Sequence, residues 1–173
     1  EIVSKWSSQV NVSVESINVL DSANITVKVT DGATGNVSVM LNHQNYTIEL
    51  TNGEGHKLIS GLPASLEPYL VEVTYMGDNT FDKSTNRTQF LVNKYQPTVI
   101  VDVRDIMVGQ DANITIRVIG NAIVNATGEA SFVLNGKNHT VRIINGEGNI
   151  SISNLGENNY VVSVIYYGDD IYM

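Results

Sequence analysis

The acidic turns of this sequence come nearest to a metal site. Gly77-Asp78-Asn79 and Gly168-Asp169-Asp170 each place side-chain oxygens next to one another, and oxygen atoms are the ligands that calcium takes. Calcium needs about six to eight of them, and two adjacent side chains fall well short. We therefore expect each aspartate to accept hydrogen bonds from backbone amides of its own turn, and we predict no metal site.

The sequence also indicates no catalytic or cofactor chemistry. His43, His56 and His139 stand singly, without a partner at metal-ligand spacing. There is no Gly-x-Ser-x-Gly elbow, no phosphate-binding glycine loop and no cysteine. The run Asn-Gly-Glu-Gly at 52–55 and 145–148 lies between alternating segments, which favours a hairpin turn over a binding loop. We predict no catalytic residue, no cofactor and a protein that is not an enzyme.

Asparagine carries the one recurrent modification signal. The chain has 20 Asn and 27 Ser plus Thr in 173 residues, and nine Asn begin Asn-x-Ser/Thr sequons, where chance would give about three. Residues i and i+2 share one strand face, so a polar outward face generates sequons without any selection for sugar. N-glycosylation after export and a by-product of strand alternation both stay open. The candidate sites are Asn11, Asn24, Asn36, Asn45, Asn86, Asn113, Asn125, Asn138 and Asn149.

Charge and hydropathy exclude two classes of partner. Ten Lys plus Arg stand against 18 Asp plus Glu, for a net charge of −8. The basic residues are scattered, whereas nucleic acid requires clustered positive charge, so we expect no nucleic-acid partner. No apolar run approaches the roughly 20 residues that span a bilayer, so we expect a chain that is not membrane-embedded.

The chain repeats itself with offsets of 89 to 93 residues. Loops tolerate insertions of a few residues and packed strands do not, so a small variation in the offset between matched blocks is typical of a duplicated domain. A unit of about 90 residues can bury a modest core of its own. The repeated blocks are Ala23–Val29 with Ala112–Val118, Asn52–Gly55 with Asn145–Gly148, and Tyr75–Asp78 with Tyr166–Asp169.

Apolar residues alternate with polar ones along nearly the whole chain, which predicts half-buried antiparallel strands. Tyr69 and Tyr160 open the sixth strand of each unit, where an immunoglobulin-like fold often has a structural-corner tyrosine bonded to nearby backbone. The predicted fold class is all-β: two tandem immunoglobulin-like antiparallel β-sandwiches of about seven strands each, the second lacking its last strand in this segment. The predicted strands of the first unit lie near 9–15, 22–30, 35–42, 45–51, 55–61, 68–76 and 87–93.

The closing half of each unit resembles a known family. The block from Tyr69 to Phe81, with Ser84 and the strand Phe90–Val92, is similar to bacterial Ig-like repeats of the group 3 type, and Tyr160–Tyr172 resembles the same block. Asn-rich, Cys-free versions are similar to repeats of adhesin-like surface proteins of methanogenic archaea. The resemblance implies a cell-surface stalk and brings no ligand-binding residues with it.

These patterns predict a domain plan and three functions. Residues 1–5 correspond to the tail of a preceding repeat, 6–93 to repeat 1, and 94–173 to a repeat 2 that stops before its final strand. The leading function is a non-enzymatic extracellular stalk or spacer of an adhesin-like protein, attached to the cell surface. Its partners would be neighbouring Ig-like repeats of the same chain or assembly, and any cell-surface or glycan ligand would belong to other domains.

Two alternatives stay open. The first is a subunit of a surface filament or surface layer, assembled by strand complementation. The second is an accessory or carbohydrate-binding module of a secreted protein, although the single tryptophan, Trp6, lies at an expected linker position rather than on a binding platform. For the edge left by the missing strand, continuation of the chain is favoured over a strand from a neighbour.

Overall fold

The computed structural model describes all 173 residues, and all of its regular elements are β-strands. No helix is present that could cross a membrane. The chain divides into two compact units, Glu1–Asn93 (unit 1) and Lys94–Met173 (unit 2). The strands are β1 Val10–Ser13, β2 Ile17–Asn18, β3 Ala23–Val29, β4 Asn36–Leu41, β5 Gln44–Glu49, β6 Glu54–Ile59, β7 Ser65–Tyr75, β8 Ser84–Asn93, β9 Thr98–Val103, β10 Ala112–Ile119, β11 Gly128–Leu134, β12 Lys137–Ile143, β13 Glu147–Ile152 and β14 Val164–Tyr166.

Unit 1 has one sheet of three strands, in the order β1-β3-β6, and one of five, in the order β2-β8-β7-β4-β5. Strand β1 pairs antiparallel with β3, and β2 pairs parallel with β8. The first stretch of the unit therefore crosses from one sheet to the other. Seven strands were expected; β2 is the eighth, and its two residues are too few to show an alternating pattern.

Unit 2 repeats this plan without counterparts of β2 and β8. Its sheets have the orders β13-β10-β9 and β12-β11-β14, so the prediction of one strand order for both units is confirmed for the strands they share. The alternating run Val161–Ile165 predicts a strand, and that prediction is wrong in its bounds, since β14 covers Val164–Tyr166. It pairs with β11 on one side and with nothing on the other, so fewer of its residues are held in a ladder.

The two cores follow the predicted register. Alternate residues of β3 and β10 are buried while Asn24, Thr26 and Asn113 between them are exposed. A slip of one residue would have reversed this pattern. The alternation also points Val162 and Val164 inward; both pack against the core of unit 2, although each is only half-buried. The residues that the alternating pattern points inward and that are buried are Ile25, Val27, Val29, Val71, Val73, Tyr75, Ile114, Ile116 and Val118.

Tight turns join neighbouring strands. The β11–β12 hairpin turns at Asn135 and Gly136, whose φ angles of 51° and 75° are those expected of an Asn-Gly turn. The β4–β5 hairpin uses Asn42 and His43, with φ angles of 51° and 62°. The predicted strands 35–42 and 45–51 place a turn here, and His43 takes a φ that histidine adopts more often than most residues but that still costs more than it does for glycine.

Trp6 is part of unit 1 rather than of a linker. Its backbone N–H donates to the carbonyl of Thr80 and its carbonyl accepts from Asp82, both at 2.9 Å. Tyr95 does the same in unit 2, where its N–H donates to Ile171 at 2.8 Å and its carbonyl accepts from Met173 at 3.1 Å. Each unit therefore begins with a short segment held against its own closing loop.

Candidate functional site

In unit 1, Asp78 joins the loop after β7 to the loop before β4. Its Oδ1 accepts from the backbone N–H groups of Thr80 and Phe81, both at 2.7 Å. Its Oδ2 accepts from the N–H of Thr34 at 2.9 Å and from the hydroxyl at 3.1 Å. The Tyr75 hydroxyl donates to the Thr34 carbonyl at 2.8 Å. We call this Thr–Asp–Tyr arrangement the clasp.

Unit 2 has the same clasp. Oδ1 of Asp169 accepts from the N–H groups of Ile171 and Tyr172, at 2.8 and 2.7 Å. Oδ2 accepts from the N–H and the hydroxyl of Thr127, at 2.8 and 3.2 Å. The Tyr166 hydroxyl donates to the Thr127 carbonyl at 2.5 Å.

The clasps stabilise the charged form of each aspartate. The backbone amide of Thr34, followed by that of Phe81, holds the pKa of Asp78 well below its usual range. Burial of Asp169 opposes its ionisation, but hydrogen bonds from backbone amides, Tyr172 first, outweigh burial and lower its pKa. Burial, reinforced by Asp78, raises the pKa of Tyr75 to about 12.

Both carboxylates use their oxygens to bind protein donors, as the sequence analysis expected of an Asp in a turn. No group of three or more His, Asp or Glu side chains converges anywhere in the chain. The acidic turns therefore lack the ligand set that calcium requires, and what they do chemically is hold two loops together.

The glycine before each aspartate is required by geometry. Gly77 and Gly168 have φ angles of +81° and +84°, and a Cβ on them would lie 2.9 and 2.8 Å from the carbonyl oxygens of Phe81 and Tyr172. A side chain would meet rigid backbone at that distance, so Tyr-x-Gly-Asp needs its glycine.

The sequence analysis does not single out the threonine of the clasp, although the repeat contains a signal for it. Ala33-Thr34-Gly35 recurs as Ala126-Thr127-Gly128, 93 residues later. The match is short and lies in a loop, where identity alone carries little weight. It gains meaning only when the threonine is found beside the repeated aspartate.

The hydroxyls of the two predicted corner tyrosines bond to backbone nearby. Tyr69 donates to the carbonyl of Pro63 at 2.6 Å, and Tyr160 donates to the carbonyl of Gly156 at 2.8 Å. The Tyr69 ring is stacked on Phe90 of β8, with centroids 5.7 Å apart. No aromatic ring stacks on Tyr160.

All nine sequon asparagines are exposed, and two of them are engaged in hydrogen bonds between strands. Nδ2 of Asn86, the atom to which a glycan would be linked, donates to the carbonyl of Val10 at 2.9 Å. Oδ1 of Asn149 accepts from the hydroxyl of Thr115 at 2.7 Å. The histidines remain apart, and His139 stacks on Phe132 at 5.2 Å.

A cleft of 690 Å³ lies within unit 2, between the segments 103–108 and 155–160. Its apolar lining includes Ile114, Leu134 and Val162, with Tyr160 at its edge.

The chain was compared with protein families, curated proteins and solved structures. No protein-family model matches it, and no curated protein matches it. Fibronectin(III)-like modules of Clostridium thermocellum CbhA are similar at 16% identity, with 95% of this chain and 88% of that chain covered and a TM-score of 0.42.

Two further structures are similar in part. One is a structure described as giving insight into host cell surface retention of a 1.5-MDa bacterial ice-binding adhesin. It is 13% identical, with 87% of this chain and 55% of that chain covered and a TM-score of 0.38. The other is chicken CNTN1 FN1–FN3, at 16% identity, 92% and 61% coverage and a TM-score of 0.32. At TM-scores below 0.5, these likenesses carry no further argument. The strand order of the sheets and the two compact units make the chain an all-β protein of two tandem Ig-like sandwiches.

Proposed function

We propose that this chain is a spacer segment of an extracellular, adhesin-like surface protein, built from group 3-type Ig-like repeats and without catalytic activity. The recurrence of the clasp in both units supports the proposal. What duplication has kept alike, besides the core, is a device that ties loops together, and not a cluster of side chains that could bind a ligand. A spacer needs units that stay folded while something distal is held away from the cell envelope.

Location is the first test. Antibodies raised against residues 1–173 should label intact cells of the native host, and brief protease treatment of those cells should remove the signal. Labelling that appears only after the cells are lysed would contradict the proposal. An antibody against a cytoplasmic protein of the same host controls for leakage.

Mechanical resistance is the second test. Pulled from both ends by single-molecule force spectroscopy, the full chain should unfold in two separate events. Each should lengthen the chain by roughly 300 Å before subtraction of the folded length, since an extended residue spans about 3.3–3.6 Å. Asp78→Ala should lower the force of one event only, and Asp82→Ala, at an exposed position outside the clasp, should leave both unchanged. Extension without force peaks would contradict a spacer that resists tension.

We also propose N-glycosylation of the exposed sequons, which depends on export into a glycosylating host. Asn24 and Asn113 stand at equivalent outward positions of β3 and β10. Glycopeptide analysis of material from the native host should find at least one of them occupied, and Asn86, whose Nδ2 is engaged, should be bare. Nine bare asparagines would reduce the sequons to a by-product of strand alternation.

A further inference from the structure

Strands β5 and β12 are equivalent edge strands, one in each unit. β5 is the last strand of the five-stranded sheet of unit 1 and pairs only with β4, and β12 pairs only with β11 in unit 2. In the chain, β5 lies between β4 and β6, and β12 lies between β11 and β13. Each free edge is therefore a property of the fold of its own unit.

The two-residue turns fix which backbone groups point out of each sheet. The residues that flank such a turn form a hydrogen-bonded pair, and bonded and non-bonded pairs then alternate along the hairpin. Asn45, Thr47 and Glu49 therefore direct their N–H and C=O groups away from β4. Asn138 and Thr140 do the same in β12. Such a row of free groups is a template for a strand of another molecule.

Strand β5 has little of the usual protection of an edge. Lysine, proline and β-bulges discourage pairing at an edge. β5 contains no lysine and no proline, its ladder with β4 keeps one register throughout, and its one charged residue is Glu49. The equivalent strand β12 contains Lys137 and Arg142. A second copy of the chain would therefore meet least resistance at β5.

A sequon stands at the same place on both edges. Asn45 and Asn138 are equivalent residues at an offset of 93, and both are exposed. The side chain of neither is hydrogen-bonded, unlike those of Asn86 and Asn149. The Nδ2 atoms of both edge asparagines are therefore free to carry a glycan.

An exposed apolar side chain lies opposite each of these two asparagines. Asn45 pairs with Met40, which is 48% exposed, and Asn138 pairs with Val133, which is 59% exposed. Directly opposite residues of antiparallel strands have Cβ atoms about 4.5–5.5 Å apart. A glycan on either asparagine would therefore begin beside an apolar group that protein leaves uncovered.

Among the nine sequons, these two alone combine a free edge with an exposed apolar neighbour. Asn24 faces the exposed Leu58, but its strand β3 has a strand on each side. Asn11 lies on the edge strand β1 but faces Lys28. The combination thus separates Asn45 and Asn138 from the other sequons.

We propose that N-glycans on Asn45 and Asn138 guard the free edges of β5 and β12, cover Met40 and Val133, and keep a second copy of the chain from pairing there. This inference rests on the N-glycosylation proposed above and adds which sequons matter and what their glycans do. A glycan is bulky and well solvated, so it blocks the approach to about 4.7–4.9 Å that strand pairing requires. Spacers that stand side by side on one cell surface would then remain separate.

Occupancy is the first measurement. Glycopeptide analysis of the full chain secreted by the native host should find both Asn45 and Asn138 occupied. A bare Asn45 or Asn138 beside other occupied sequons would overturn the guard and leave N-glycosylation standing. Nine bare asparagines would overturn both.

Removal of the two glycans is the second measurement. The double variant Asn45→Gln with Asn138→Gln should self-associate with a Kd at least about tenfold lower than that of the unmodified sequence, measured by sedimentation velocity. The matched control is Asn36→Gln with Asn113→Gln. Both control sequons are exposed, lie on strands with neighbours on both sides and face polar residues, so association should not change. Equal association of the two double variants would overturn the proposal.

Edge substitutions locate the contact in the variant that lacks both glycans. Thr47→Pro with Thr140→Pro should return association to the level of the glycosylated chain, because it removes a donor from each free edge and none from the ladders with β4 and β11. Thr47→Lys with Thr140→Lys, which leaves the backbone intact and adds a charge to each edge, should do the same. Unchanged hydrogen exchange of β3 and β10 would show that both units remain folded. Association that persists in the lysine variant would place the contact elsewhere and overturn the proposal.

Discussion

Unit 1 and unit 2 have the same order of the strands they share, the same core register and the same clasp, yet equivalent valines are buried to different degrees. Val71 and Val73 are closed off from solvent, whereas Val162 and Val164 are half-exposed. The alternating pattern is the same in both, so the difference does not come from the strand itself. It comes from the neighbour that β8 provides in unit 1. The local sequence determines which face of a strand is apolar. The neighbouring strand in the sheet determines whether that face is buried from solvent.

The largest effect is expected on removal of the side chain of Phe90, which anchors β8 in the core of unit 1. Phe90→Ala should cost about 3–5 kcal/mol of unit 1 stability, because it deletes a buried aromatic ring and the contact with Tyr69. Hydrogen exchange followed by mass spectrometry should show β7 losing protection toward the level of 160–166 in unit 2. Protection of unit 2 should not change.

Leu91→Ala is the matched control, since Leu91 is the outward neighbour in β8 and is exposed. It should change the stability of unit 1 by less than about 0.5 kcal/mol. If Phe90→Ala left the hydrogen exchange of β7 unchanged, packing of β8 would not be the cause of the burial of β7.

Acid should act on both units alike, because both have the clasp. The folded-state pKa values of Asp78 and Asp169 lie below the usual value of about 3.9. The stability they contribute is therefore fully present above about pH 5 and is lost as pH falls toward the folded values. Thermal unfolding between pH 6 and pH 2 should show melting temperatures that fall with pH for both units.

Asp78→Asn separates the two units in this experiment. It keeps one side-chain oxygen but has no carboxylate to protonate, so unit 1 should be less stable at pH 6 and should lose less on acidification. Asp169→Asn should do the same for unit 2. An unchanged acid response in both variants would mean that other carboxylates dominate the acid sensitivity.

The smallest effect concerns a hairpin. The β4–β5 turn of unit 1 has His43 at a φ of 62°, where the equivalent turn of unit 2 has Gly136 at 75°. Glycine adopts positive φ without steric cost, so His43→Gly should raise the stability of unit 1 by about 0.5–1 kcal/mol. Chemical denaturation, monitored by hydrogen exchange in peptides from unit 1, measures the gain in its free energy of unfolding. The reverse change, Gly136→His, should lower the stability of unit 2 by a similar amount.

Much of the fold could be predicted because alternation and turn chemistry are local. The register of β3 and β10 and the Asn135-Gly136 turn follow from adjacent residues, and both are confirmed. The clasp could be predicted in part: Asp78 was expected to bind amides of its own turn, but its bonds to Thr34 join residues 44 apart in the chain. Contacts at that separation depend on how strands order in the sheet. The half-burial of Val162 could not be seen in its own segment, because it depends on a neighbouring strand.

Each clasp is confined to one unit, and this affects how such chains evolve. All of its hydrogen bonds join residues of one unit, Thr34 with Asp78 in the first and Thr127 with Asp169 in the second. Recombination that copies or deletes a whole unit therefore leaves every other clasp intact. The number of units is free to vary while the stability of each clasp stays the same, so length can be selected separately from fold.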